Sequence, residues 1–264
     1  MVVAARGTVI ENSQILTGLY RLRIALPALA AEAVPGQFVM VKTADSLEPF
    51  LKRPLSINRI DRENDSIALV YQVVGRGTEL LSRVPAGREI EVVGPLGNGF
   101  SWPETARNVA LIGGGAGVAP LVALAVELVK RGKTVHALLG ARSKNQLYGE
   151  QDFIELGCRV RVATEDGSCG YRGMVTDLLD ALNSQMRLDM VYCCGPPAMS
   201  KAVAAKTIEA GVPCQVSLEE RMGCGIGACL GCVCKVRGEG GQPAYKRVCR
   251  DGPVFTGNEV IFDG

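Results

Sequence analysis

Near its C-terminal end the chain reads Leu218-Glu219-Glu220-Arg221-Met222-Gly223-Cys224-Gly225-Ile226-Gly227-Ala228-Cys229-Leu230-Gly231-Cys232-Val233-Cys234, with one more cysteine at Cys249. Four residues separate Cys224 from Cys229, two separate Cys229 from Cys232, and sixteen separate Cys232 from Cys249. Buried structural thiols are not expected to gather on a glycine-spaced loop. Four thiolates at C-x4-C-x2-C…C spacing match the plant-type [2Fe–2S] pattern. The glycines at 223, 225, 227 and 231 fit, because such a loop bends through positive φ and brings bare backbone N–H groups to the sulfurs. Zinc also takes four thiolates, but zinc ribbons present paired C-x2-C knuckles, and here one such pair stands with two outlying cysteines. Cys234 reads as a spare, packed as a small apolar side chain.

Ten cysteines in 264 residues are too few for a disulfide scaffold. No signal peptide is visible before Arg6, so the thiols are expected to be reduced and the protein cytoplasmic. Cys158, Cys193 and Cys214 fall in apolar runs and read as core, while Cys169, beside Gly170, reads as exposed. A net charge of +2 gives no basic field for nucleic acid. Residues 109–126 carry no charge and reach the length of a membrane span. Four glycines and Pro120 break that run, and a strand, a turn and a helix account for it better. No membrane partner is expected.

The first hundred residues read as β structure, with apolar or β-branched runs at 7–10, 20–26, 37–42, 55–60, 67–74 and 89–93 separated by turn residues. Six strands at that spacing predict an antiparallel barrel or sandwich; only 78–83 looks helical. From Val109 strands (109–112, 134–139, 159–164, 190–194, 215–218) alternate with helices (120–131, 151–156, 175–182, 198–210), which predicts a doubly wound parallel sheet. The expected class is α+β multidomain: a barrel over 1–101, an α/β domain over 102–215 and a cluster subdomain over 216–264. Trp102 is expected to plug the junction, and His136, the single histidine, to be structural.

Gly113-Gly114-Gly115-Ala116-Gly117-Val118-Ala119-Pro120 follows a strand and opens a helix, a setting in which backbone N–H groups face a pyrophosphate. Proline stands where the dinucleotide fingerprint has its third glycine, and a first-turn proline is tolerated there. The acidic residue expected after the next strand is missing; Gly140-Ala141-Arg142-Ser143 replaces it, so NAD and NADP are not distinguished. Arg53-Pro54-Leu55-Ser56 offers a cation and a hydroxyl beside a rigid proline. Tyr71-Gln72 and Gly75-Arg76-Gly77-Thr78 form a second small phosphate-type site.

Taken together, Arg-Pro-x-Ser, Gly-x-Gly-Thr, the glycine loop and Cys194-Gly195-Pro196-Pro197 resemble the ferredoxin reductase family. With Ser-Leu-Glu-Glu-Arg-Met and the four cysteines, the whole chain resembles the electron-transfer subunits of type B dihydroorotate dehydrogenases. Related small subunits of ferredoxin–NADP transhydrogenases tend to carry aspartate at the first cysteine position, where this chain has Cys224. The resemblance implies an oxidoreductase subunit of pyrimidine biosynthesis with FAD, a [2Fe–2S] cluster and NAD as acceptor. It implies that FAD is bound by Arg53, Pro54, Leu55, Ser56, Val70, Tyr71, Gln72, Gly77 and Thr78, with Arg53 near the pyrophosphate and Ser56 near the flavin N5. Gly113, Gly114, Gly115, Ala116 and Gly117 would receive the nicotinamide nucleotide, and Cys194, Gly195 and Pro196 would border its ring. Glu165-Asp166-Gly167 is a further possible contact. Ser56 and Cys194 are the expected catalytic pair, and Cys224, Cys229, Cys232 and Cys249 the metal ligands. The implied partner is an FMN-containing catalytic subunit in a two-plus-two heterotetramer, meeting this chain around residues 223–232. Two other readings stay open: an NAD(P)H–ferredoxin or sulfur-reducing oxidoreductase subunit, and a zinc-stabilised nucleotide-binding module without redox activity.

Overall fold

In the computed structural model, residues 3–44 and 48–262 are described. Six strands close an antiparallel barrel in the order β1-β2-β5-β4-β3-β6: β1 (Val3–Leu16), β2 (Leu19–Ala25), β3 (Phe38–Val41), β4 (Arg53–Asp61), β5 (Ser66–Gln72) and β6 (Glu89–Leu96). Alternation drives the closure. In β2, Leu22 and Ile24 are fully buried while the flanking Arg21 and the intervening Arg23 are not, and Val39, Val41, Ile57, Leu69 and Val92 fill the same interior. Two short helices attend the barrel, α1 (Pro27–Glu32) and α2 (Arg76–Ser82). The stretch between the runs at 20–26 and 37–42, expected to be turn, holds a helix: Pro27 stands in the first turn of α1, where its missing N–H is no loss, and Leu29 and Ala30 pack into the barrel core.

The second unit is a seven-stranded sheet in the order β10-β9-β8-β7-β11-β12-β15. Its strands are β7 (Asn108–Gly114), β8 (Thr134–Ala141), β9 (Arg159–Thr164), β10 (Tyr171–Arg172), β11 (Met190–Cys194), β12 (Cys214–Ser217) and β15 (Val254–Thr256). Helices α3 (Ala119–Lys130) and α4 (Glu150–Glu155) pack on one face, α5 (Val175–Gln185) and α6 (Pro197–Glu209) on the other. In β7, Val109 and Leu111 join the first core and Ala110 and Ile112 the second, all fully buried. That two-sided burial explains why the uncharged run imitates a membrane span. Among the described residues no helix is long and apolar enough to cross a membrane.

β15 runs antiparallel to β12 and lies inside the segment expected to form the cluster subdomain. That segment is therefore sewn into the sheet edge, and its hairpin of β13 (Val233–Arg237) and β14 (Pro243–Arg247) projects from it. Its other flank ties to the barrel, where Asn98 N–H donates to Gly252 O at 2.6 Å. The barrel and α/β units also meet at a polar seam. Asn58 of β4 donates to Ala119 O (3.0 Å) and to the Tyr148 hydroxyl (3.2 Å), and Asp152 takes Arg59 at 2.6 Å and Arg21 at 3.4 Å. Asp152→Ala leaves both guanidinium groups without their acceptor; a loss of about 2 kcal/mol is expected, below the fully buried case because the arginines are partly wet. A lower urea midpoint checks it. Trp102 lies under Arg131, 5.1 Å from guanidinium carbon to ring centre, and Ser101 beside it is held by Gln215 and Tyr192. His136 is buried in β8, and burial together with Arg159 and Arg161 lowers its pKa, so the ring is neutral. Cys193 and Cys214 are buried and Cys158 packs against the first core as expected. Cys169, expected exposed, is half-buried against that core, its N–H held by the Thr164 hydroxyl at 3.0 Å.

Candidate functional site

A cleft of about 750 Å³ opens where the barrel meets the loop before α3 and the segment leaving β12. That size suits a cofactor. Arg53, Pro54, Leu55 and Ser56 from β4, Val70, Tyr71 and Gln72 from β5, and Thr78 from α2 line the barrel side. Ala116 and Ala119 line the opposite side, and residues 218–222 close the third. Pairing of β3 with β4 sets Phe38 opposite Ser56, and Phe38 lines the cleft as well.

At one end two separate sequence signals converge. The Arg53 guanidinium lies over Gly77 so closely that a Cβ there would stand 2.5 Å from Nε. Arg53, which lines the cleft, also donates to Leu51 O, and that bond fixes its side chain. The Thr78 hydroxyl accepts from Val74 N–H (3.0 Å) and Gly75 N–H (3.3 Å) and donates to Gly75 O (3.0 Å), so it ties down the start of α2. Tyr71 donates its phenol to Asn12 at 2.9 Å and stacks on Tyr20; burial raises its pKa, so it stays neutral. A fixed guanidinium beside exposed cleft backbone suits the pyrophosphate of a dinucleotide such as FAD.

Behind Ala116 the glycine loop packs onto the residue 194–196 turn. Register places Cys194 beside Gly113, and a Cβ on Gly117 would stand 2.6 Å from Gly195 Cα and 2.7 Å from Cys194 O. Only glycine permits that approach. Gly115 adopts φ +57° with open space before it, and Gly114 backs onto Met199 and Pro196. Of the loop, Ala116 alone faces the cleft. The Cys194 thiol is fully buried and pushed well up, first by burial and then by Glu219, so at this position the chain presents backbone rather than sulfur. Ser56 does face the cleft. Glu165 and Asp166 hydrogen-bond back to Ala141 O and Arg142 O, which carries an acidic loop over the end of β8.

The cysteine loop follows directly. Its backbone points at sulfur: Gly227 N–H to Cys249 Sγ (3.1 Å), Ala228 and Cys229 N–H to Cys224 Sγ (3.3 and 3.4 Å), and Cys249 N–H to Cys232 Sγ (3.4 Å). Burial alone would raise the Cys224 thiol, but N–H groups of Ile226, Cys229 and Ala228 outweigh it and bring the pKa down to about 6. Cys249 is pushed up to about 12 by burial and by Cys232. Among the described residues no three His, Cys, Asp or Glu side chains converge as ligands of one ion. The four thiols stand instead as two pairs, Cys224 with Cys229 and Cys232 with Cys249. Two thiols per iron is what a binuclear cluster needs, so the donor set fits [2Fe–2S]. Cys234 stays outside, packed on the second core and raised to about 11 by burial.

The wall at residues 218–222 carried no role in the sequence reading. Its Ser-Leu-Glu-Glu-Arg-Met run was visible, but nothing local says that it turns back over the barrel. Glu219 stands there with its carboxyl raised by burial, and Met222 reaches both the cleft and the second core.

Residues 219–261 match the iron-sulfur cluster binding domain of dihydroorotate dehydrogenase B, and residues 111–205 the oxidoreductase NAD-binding domain. Proteins named dihydroorotate dehydrogenase B (NAD(+)), electron transfer subunit, are similar over nearly the whole chain. That of Desulforamulus reducens is 42% identical over 92% of this chain and 93% of its own, and that of Geobacillus kaustophilus 42% identical over 99% and 100%. A solved NADH-dependent reduced ferredoxin-NADP oxidoreductase, studied for flavin-based electron bifurcation, superposes with a TM-score of 0.87 at 36% identity, covering 98% of this chain and 90% of that one. Amycolatopsis cytochrome P450 reductase superposes at 0.66 and 27% identity, covering 79% and 66%.

Proposed function

The chain belongs to the family of electron transfer subunits of NAD(+)-dependent dihydroorotate dehydrogenase B, and on that footing we propose that it passes electrons from a partner catalytic subunit through [2Fe–2S] and FAD to NAD+. The observation that carries this reading is the adjacency of the cleft and the four-cysteine loop, with Met222 in the cleft wall two residues before Cys224. When bound, the cluster moves single electrons and the flavin exchanges pairs, which lets hydride chemistry meet a one-electron supply.

The chain's own residues hold and orient. Arg53, its guanidinium over Gly77, would hold the FAD pyrophosphate, and Pro54, Leu55, Val70, Tyr71 and Gln72 bound the cleft for the rest of the cofactor. Ser56 offers its hydroxyl where the flavin N5 would lie. Thr78 lines the cleft and ties down the start of α2, and Gly77 leaves the room in which the Arg53 guanidinium sits for the phosphates. Gly113, Gly114, Gly115, Ala116 and Gly117 hold the nicotinamide nucleotide, and Cys194, Gly195 and Pro196 supply backbone beside its ring. Cys224, Cys229, Cys232 and Cys249 hold the cluster. Hydride transfer asks for alignment and no proton-relaying histidine, in keeping with a chain whose one histidine is buried and neutral.

The partner is the FMN-containing catalytic subunit, in a two-plus-two assembly. Ile226 and Leu230 stand exposed on the cysteine loop beside exposed Cys229, an apolar face suited to an interface. Isolation of the chain with its partner, followed by visible spectrum, iron and flavin content and native mass, tests the proposal. Yellow-brown material with two irons and one FAD per chain, forming NADH from dihydroorotate, is expected; colourless, iron-free material would end it. The ferredoxin-linked reading shares these cofactors and the similarity to the bifurcating oxidoreductase; a ferredoxin-dependent activity without dihydroorotate turnover would favour it.

A further inference from the structure

Strand β3 touches both cofactor sites. Phe38 lines the cleft. Met40, two residues on and therefore on the same face of the strand, lies under the cysteine loop. Gly225, next to Cys224, has φ +72°, and a Cβ there would stand 2.5 Å from Met40 Cγ and 2.9 Å from its Sδ, with Leu96 at 3.4 Å. Phe38, Met40 and Leu96 are 3%, 1% and 3% exposed and share one apolar cluster with Cys232 and Cys249, against which Met222 also packs. The wall between the cleft and the loop is thus solid side chain, with the loop backbone seated on it through a glycine.

From this contact we infer that Met40, with Gly225 upon it, is a positioning residue: it is the spacer that sets the gap across which an electron passes between flavin and cluster. The inference rests on the cofactor assignment proposed above. Two residues of extended strand span about 7 Å, so Phe38 and Met40 bridge the wall in one step. The second route is covalent, from Met222 to Cys224. The asymmetry of the cysteines agrees: Cys232 and Cys249 are buried in the same apolar cluster as Phe38, Met40 and Leu96, whereas Cys229 is exposed. With NADH as the donor the transfer runs opposite to the proposed direction: one electron would leave the reduced flavin and the cluster would gain it, and no bond between heavy atoms forms or breaks. Because protein interiors are close-packed, a side chain shortened here opens a gap and one added at Gly225 lifts the loop.

The test uses the whole chain with both cofactors bound, mixed with NADH. Stopped-flow absorbance follows flavin reduction, and rapid-freeze electron paramagnetic resonance follows the reduced cluster. Met40→Ala and Gly225→Ala are expected to keep the rate of flavin reduction and delay the cluster signal several-fold. Met40→Leu, which preserves volume, is expected to restore the wild-type interval. Iron and flavin content and the cluster midpoint potential are measured on each variant. An unchanged interval in Met40→Ala at full iron content would overturn the inference. Loss of iron from Met40→Ala would overturn it too, since Met40 would then hold the loop rather than space it. Should Gly225→Ala alone lose iron, the two Met40 variants decide. A wild-type chain lacking flavin or cluster signal would instead defeat the functional proposal, which keeps the two failures apart.

Discussion

A Cys229→Ala chain is expected to retain FAD, to reduce small dyes from NADH, and to lose dihydroorotate-driven NADH formation down to background. The choice of cysteine matters. Cys229 is exposed, so removing its sulfur opens no cavity, whereas Cys232 and Cys249 are 1% and 2% exposed and belong to the second apolar core. Truncation at either of those would mix loss of a ligand with a packing defect. At Cys229 the pair with Cys224 is broken and one iron is left with a single protein thiolate, which does not hold a binuclear cluster. The cleft residues Arg53 to Ser56 and Val70 to Gln72 belong to barrel strands and keep their geometry. Iron analysis, flavin fluorescence and the two activities measured together check the outcome. Equal loss of both activities with flavin retained would count against this ordering of the two centres.

That separation is partly legible in the sequence. The cysteine spacing and the glycine loop carry their chemistry in short windows, because each is one bend of backbone around one ligand. The barrel strands were legible because one face is dry, as Leu22 and Ile24 show in β2. What lay beyond reach were features made by two distant segments. β15 has three residues, too few for a pattern, and exists only because β12 offers an edge. The cover of residues 218–222 over the cleft depends on Leu218 N–H reaching Pro253 O. The Met40–Gly225 contact joins a barrel strand to a loop far along the chain, and only Gly225's need for glycine hinted at it. Cys194 shows the reverse case. Its Cys-Gly-Pro-Pro setting points to the nicotinamide, while the motif does not tell that alternation in β11 buries the Cys194 sulfur in the first core and Cys193 in the second.

Gly117 is the position where one substitution has the next largest effect. Gly117→Val is expected to keep flavin and iron yet lower kcat/KM for NADH by about 10²-fold, the scale of a misplacement near 1 Å. The reason is contact, not dihedral strain: a Cβ at 117 meets Gly195 Cα at 2.6 Å and Cys194 O at 2.7 Å, both main chain and unable to step aside. The glycine loop and the residue 194–196 turn must part, which separates the two groups proposed to hold the nicotinamide nucleotide. Gly117 is buried and does not line the cleft, so the FAD site is not touched directly. Gly115→Ala is the matched control. Its φ of +57° disfavours a side chain, but open space lies in front of it; a cost of about 1 kcal/mol and a much smaller kinetic change are expected. Steady-state NADH kinetics, with thermal unfolding to show that the α/β unit is intact, distinguish the cases. NADH kinetics left unchanged in a folded Gly117→Val chain would mean that the nucleotide enters elsewhere. A fall in both variants alike would place the effect in loop conformation rather than in the contact with Gly195.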